Sequence, residues 1–231
     1  MSARYAVYYA PGRESPWWAF GATWLGRDEQ RDLALAPPSV NGVDPQAMDA
    51  ITALPRRYGF HATLKAPFHL ASGVAPDDLC ERMASFCRGA RAVRLPALAP
   101  AYVDGFVALV PDRSCPALQD LAARCVTELD ALRAPVTPAD RERRGLDPAD
   151  RRANELFERY GYPYVLERFR FHMTLTGPVD AALAGQLVAQ LARPVAQLNA
   201  LEPPVLDRVC LFVEPRAGAA FRRVADMRLP P

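Results

Sequence analysis

Apolar positions along this chain recur with two periods, and the period changes from one segment to the next. Residues 4–10 are rich in aromatic and β-branched side chains and stop at Pro11-Gly12, which predicts a strand. Residues 16–26 carry Trp17, Trp18, Phe20 and Trp24, with Pro16 suited to a first helical position. A short helix is expected there, followed by a long loop through Pro37-Pro38 and Asn41-Gly42. Residues 58–66 read as a second strand ended by Pro67. Residues 76–90 read as an amphipathic helix, with Leu79, Met83 and Phe86 spaced by four and three and Asp77-Asp78 in the first turn.

Asp104-Gly105 marks the turn of a hairpin over residues 101–109. Residues 114–133 fit a helix with Ser114 as N-cap and a stripe of Leu118, Leu121, Cys125 and Leu129. Residues 134–152, rich in Pro, Arg and Asp, connect two chemically similar halves and run into a helix near residues 149–160. A strand (168–176), a helix (179–192) and two strands (205–214, 219–228) complete the pattern. This order suits an α+β fold of mainly antiparallel sheets better than a doubly wound parallel sheet. One domain over residues 1–231 is expected, its two lobes dividing near residue 135, with strands free to cross between them.

Composition narrows the function more than the fold. The 28 basic and 26 acidic side chains leave a net charge of only +2, so no overall field draws the protein to nucleic acid, and DNA is not an expected partner. The five cysteines are scattered and odd in number, which points to a reduced, cytoplasmic setting. No apolar run reaches the length of a membrane span, and the first residues lack the pattern of an export signal.

The informative feature is a repeat. Phe60-His61-Ala62-Thr63-Leu64-Lys65-Ala66-Pro67 aligns with Phe171-His172-Met173-Thr174-Leu175-Thr176-Gly177-Pro178, 111 residues later. By this chain's composition, a histidine acquires that Phe, Thr and Leu by chance about twice in ten thousand trials, yet two of only three histidines have them. On a strand, positions i and i+2 share a face, so each segment presents an imidazole beside a hydroxyl while Phe60, Leu64, Phe171 and Leu175 turn to the packing.

A paired His-x-Thr-Leu motif of this kind, carried by His61, Thr63, His172 and Thr174, resembles the two-histidine phosphoesterase superfamily, which includes 2′,5′-RNA ligases and cyclic nucleotide phosphodiesterases. The flanking segments, residues 4–11, 55–68 and 169–178, resemble a bacterial branch of it associated with phosphonate-utilisation operons. The resemblance implies two pseudo-symmetric lobes flanking a basic, V-shaped central cleft. It also implies a phosphoric diester hydrolase acting on a small cyclic or linear phosphodiester, such as a sugar or nucleotide derivative.

The residue types suit that chemistry. Cleaving a phosphodiester needs a base for the attacking hydroxyl and an acid for the departing alkoxide, and two imidazoles with an ordinary pKa of about 6.5 can supply both. Thr63 and Thr174 would donate to the non-bridging oxygens. Strict alternation puts Lys65, the only lysine, on the face of His61 and Thr63, with Thr176 as its counterpart, and Arg170 on the face of His172. These three and Tyr58 are candidate substrate contacts, although sheet packing explains Tyr58, like Tyr5, Tyr8 and Tyr9, as well.

His69 could complete a zinc triad with His61 and His172. Pro67 breaks the strand phase before it and no acidic or cysteine ligand is placed nearby, so no metal and no other cofactor is expected. The Gly21 to Gly26 spacing lacks the Lys-Ser/Thr of a phosphate loop. The arginines of residues 141–144 and 151–152 are interleaved with acids and read as a solvated helix or loop, with a lid as the alternative. The expected partner is a small phosphorylated molecule, a nucleotide or an RNA end. RNA end-processing or ligation and a non-catalytic phosphate-ligand sensor are the alternatives to hydrolysis. Neither the order of acid and base nor the oligomeric state follows from the residues.

Overall fold

The computed structural model describes residues 3–231. The first strand, β1 (Arg4–Tyr9), leads into α1 (Pro16–Leu25), where the Ser15 hydroxyl accepts from the Trp17 amide at 3.1 Å and Pro16 occupies the first helical position. A short hairpin of β2 (Arg27–Asp28) and β3 (Leu33–Ala34) follows. The stretch after it is not all loop. Asp44 accepts from the Gln46 amide at 2.8 Å, Pro45 starts a helix, and α2 (Pro45–Arg56) buries Met48, Thr52 and Pro55. The amides of Tyr58 and Gly59 then bond back to the Pro55 carbonyl, so β4 (Ala62–Phe68) begins at Ala62 and not at Tyr58.

Beyond β4 come α3 (Pro76–Arg88), β5 (Val93–Arg94), the hairpin of β6 (Leu98–Val103) and β7 (Phe106–Pro111), and α4 (Pro116–Glu128). The cap of α4 is Cys115 without a side-chain bond, not Ser114, because Pro116 sets the start of the helix. The connection carries α5 (Pro138–Arg144) and α6 (Arg151–Tyr160).

The expected strand over 168–176 shrinks to β8 (Met173–Thr174). It lies at a sheet edge, paired with β7 alone among the described residues, and a 3₁₀ turn at Leu166–Arg168 precedes it. The last helix, α7 (Ala181–Leu201), passes through Pro194 and ends well beyond residue 192. The chain closes with β9 (Val205–Leu206), β10 (Arg208–Glu214) and β11 (Arg222–Arg228).

The fold is α+β, with antiparallel pairing throughout its sheets. The larger sheet has the order β11-β10-β1-β4, and a second has the order β6-β7-β8. Each joins strands from early and late in the chain, so the two sequence halves interlock. A common apolar core ties both sheets to α1, α3, α4 and α7. Phe60, fully buried in that core, packs so closely on α1 that a Cβ on Gly21 would lie 2.0 Å from its ring. This contact anchors the segment that delivers His61. Among the described residues no helix is long and apolar enough to cross a membrane.

Candidate active site

The two repeat segments meet at one cleft of about 880 Å³, lined by Tyr8 and Thr63 of the larger sheet, by Phe106 and Thr174 of the smaller, and by His172 just before β8. His61, Thr63, His172 and Thr174 all line it and all are half-buried. The partners expected in the packing are buried: Phe60 and Leu64 behind the first pair, Phe171 and Leu175 behind the second.

Both rings are held by the same device. The Nδ1 of His61 lies 2.9 Å from the Gly59 carbonyl, and that of His172 lies 2.8 Å from the Arg170 carbonyl. A carbonyl only accepts, so each Nδ1 carries a proton and each Nε2 is left for the cleft. For His61, Gly59 makes this possible with a φ of +79° and no Cβ, which would sit 2.8 Å from Glu29 Cβ. The Thr63 hydroxyl stands 3.4 Å from His61 Nε2.

Their surroundings differ. Tyr8 stacks on His61 with ring centroids 3.9 Å apart, and Tyr58 and Phe212 stand 6.1 and 6.2 Å away. Burial pushes the His61 pKa down to about 4; the Gly59 carbonyl opposes this and the charge of His172 adds to it. Among the described residues His172 has one aromatic neighbour, Phe106, at 5.7 Å.

Residues 63–222 match the family described as "Protein of unknown function (DUF1045)". The chain belongs to that family. The matched span contains Thr63, His172 and Thr174 and begins just after His61. This DUF1045 chain is also similar to two curated proteins, each called ribose 1,5-bisphosphate phosphokinase PhnN. The one from Janthinobacterium sp. (strain Marseille) is 35% identical over 230 residues, 98% of this chain and 50% of that protein. The other, from Laribacter hongkongensis (strain HLHK9), is 41% identical over 220 residues, 95% of this chain and 50% of its own length. The chain thus spans about half the length of the curated relatives it matches.

The remaining candidate contacts separate in this DUF1045 structure. Tyr58 lines the cleft and stacks on Phe221 at 5.0 Å. Thr176 lines it too, but its hydroxyl accepts from the Val107 amide at 2.9 Å and so pins the end of β8 to β7. Arg170 is exposed and does not line the cleft; its part is the carbonyl that holds His172.

Lys65 departs from expectation. Tyr8 pairs with Thr63 while the neighbouring Val7 pairs with Lys65, so β4 carries a bulge at Leu64. The extra residue reverses the alternation, and Lys65 faces the core with Val7. There it is 3% exposed and donates to Asp130 at 3.0 Å and to the Val126 carbonyl at 3.3 Å. Ala66 takes its place beside Thr63 in the cleft wall.

His69 reaches the cleft wall, with Nδ1 3.0 Å from the Ala3 carbonyl. Among the described residues no three His, Cys, Asp or Glu side chains are grouped to hold a metal ion. Gly21 lies inside α1 and Gly26 caps it, so neither belongs to a phosphate-binding loop. Sequence reasoning undervalued Tyr8, which it treated as packing. Its signal was its place in the β1 alternation, yet only the pairing with Thr63 reveals which face it shares.

Proposed function

We propose that this chain is a two-histidine phosphodiesterase acting on a small cyclic or linear phosphodiester, with His61 as general base and His172 as general acid. The observation that carries the reading is the duplicated anchoring: two imidazoles, each with Nδ1 on the carbonyl two residues before it, line one cleft beside two threonines. With a pKa near 4, His61 is neutral at pH 7 and ready to accept a proton. His61 Nε2 takes a proton from water as the water oxygen bonds to phosphorus. The bond from phosphorus to one ester oxygen breaks, and that oxygen takes the Nε2 proton of the His172 imidazolium. A phosphate monoester and an alcohol result, and solvent restores the two protonation states. Thr63 and Thr174 donate to the non-bridging oxygens, where negative charge concentrates.

The relatives' kinase name describes proteins about twice as long. We assign that phosphoryl transfer to the half of those proteins that this chain does not match. The two halves then act on related sugar phosphates, in keeping with the resemblance to phosphonate-operon proteins. The test is ³¹P NMR with nucleoside 2′,3′-cyclic phosphates and ribose cyclic phosphates in excess EDTA, beside the His61→Ala/His172→Ala variant. Ring opening by wild type alone supports the reading, whereas equal turnover by the double variant removes it.

A further inference from the structure

Four arginines line the cleft, and three of them are matched by acids. Arg4 donates to Glu214 at 2.5 Å, Arg133 to Asp130 at 3.0 Å, and Arg143 to Asp140. Arg144, the last residue of α5, forms no ion pair among the described residues. It is half-buried, and its guanidinium lies over the faces of Tyr162 at 4.7 Å and Tyr164 at 5.4 Å. A guanidinium held by aromatic faces and by a hydrogen bond to the Tyr162 hydroxyl is positioned without being neutralised, and its remaining N–H groups can meet an anion.

Its placement in the cleft is defined. Arg141 grips Glu158 of α6 through two bonds of 2.5 and 2.6 Å, which fixes α5 against α6. Tyr162 lines the same cleft as Tyr8 and Tyr58, the rings that flank His61. Arg144 lines the same cleft as His61 and His172, and among the described residues its contacts are with Tyr162 and Tyr164 and those of the imidazoles are with other residues. A cleft of about 880 Å³ falls in the upper part of the range for ligand pockets, roughly 300–1,000 Å³, and is larger than a bare cyclic phosphate needs.

We propose that Arg144 binds a second, non-reacting phosphate of the same substrate, making the substrate a sugar phosphodiester that also carries a terminal phosphate monoester. This rests on the phosphodiesterase reading for the identity of the first site. A planar guanidinium takes two phosphate oxygens at once, so the contact fixes orientation as well as affinity. The monoester held there would aim the diester at His61 and His172.

The probe is ribose 5-phosphate, which has the terminal monoester and a five-carbon sugar but neither diester nor base. Calorimetric titration in EDTA would compare wild type, Arg144→Gln, Arg143→Gln and His61→Ala/His172→Ala. Arg144→Gln is expected to weaken binding about 10- to 100-fold, the range for losing a charged hydrogen-bond partner. Arg143→Gln and the double histidine variant are expected to stay within about twofold of wild type.

Undetectable binding by wild type overturns the proposal, as does indifference to Arg144→Gln or equal damage from Arg143→Gln. Loss in the histidine variant alone also overturns it, because the phosphate then sits at the reacting site. Arg144-dependent binding of adenosine, which lacks phosphate, would make the aromatic pair a base platform and reject the phosphate site. The two readings fail separately. Cyclic phosphates opened by an enzyme indifferent to Arg144→Gln reject only the second site; Arg144-dependent binding with no ring opening rejects only the hydrolase.

Discussion

The two copies of the Phe-His-x-Thr-Leu segment share a sequence and a way of holding the ring, and differ in nearly everything else. His61 precedes a seven-residue strand at the edge of the larger sheet and lies under the Tyr8 ring. His172 precedes a two-residue edge strand, with Phe106 as its aromatic neighbour. Burial holds the first imidazole neutral far below pH 7, so that roughly one molecule in a thousand would carry the proton there at neutrality. Duplication supplied two equivalent imidazoles, and packing made them unequal. On the proposed mechanism, the division into base and acid thus lives in the neighbours of the motif, not in the motif.

The sharpest way to break this comparison is to remove each histidine in turn. His61→Ala and His172→Ala should each lower kcat about 10²- to 10⁴-fold on an alkyl phosphodiester. They should diverge on a p-nitrophenyl diester, whose leaving group needs no acid. There His172→Ala should recover most of its activity and His61→Ala should not. Equal recovery in steady-state assays would mean that the two sites are interchangeable.

Tyr8 tests the cause of the asymmetry. Tyr8→Ala should destabilise the fold by about 3–5 kcal/mol in urea unfolding, the usual loss for emptying a large aromatic site. In the folded variant the acidic limb of kcat/KM should rise from about pH 4 towards the ordinary histidine value, while Tyr8→Phe, which keeps the ring stack, should leave it in place. The same lowered pKa has a sign in stability. The unfolded chain takes up the His61 proton first, near pH 6.5. This contribution is therefore complete above that pH and is lost as pH falls towards about 4. His61→Gln should flatten the stability profile across that window.

Smaller effects separate the hydroxyls. Thr63→Val and Thr174→Val should each lower kcat about 10-fold or more if both donate to the phosphate, as read from steady-state kinetics. Thr63→Val should lose more, because Thr63 also stands beside His61 Nε2.

The reach of sequence reasoning follows from which interactions are local. The repeat singled out His61, Thr63, His172 and Thr174, which the fold brings to one cleft, because alternation over three residues needs no knowledge of the partner strand. The Asp104-Gly105 hairpin and α3 were legible for the same reason. The α2 helix carried local signals too, Asp44 as cap and Pro45 at the first position, but the turn residues before them masked it. What was not legible depends on pairing. The bulge at Leu64 exists only in the register with β1, and the extent of β8 is set by the two positions at which it pairs with β7. Arg144 looked like one more charge in a solvated run, since nothing local says that its neighbours find acids and it finds tyrosines.

Lys65 tests that account most directly, because strict alternation and the bulge make opposite predictions for one side chain. If alternation held through residue 65, the ammonium would face the phosphate, and Lys65→Met would raise KM about tenfold or more with stability little changed. In the structure Lys65 lies inside the core with Asp130. There, against the upward push of its own burial, bonds from Arg133 and Lys65 hold the Asp130 carboxyl below the usual range. Removing the ammonium leaves Asp130 its Arg133 partner at 3.0 Å, so the carboxylate is weakened but not abandoned. Lys65→Met should therefore destabilise by about 1–3 kcal/mol in urea unfolding and leave KM within about twofold. A large KM effect with unchanged stability would put the side chain back in the cleft and count against the bulged register of β1 and β4.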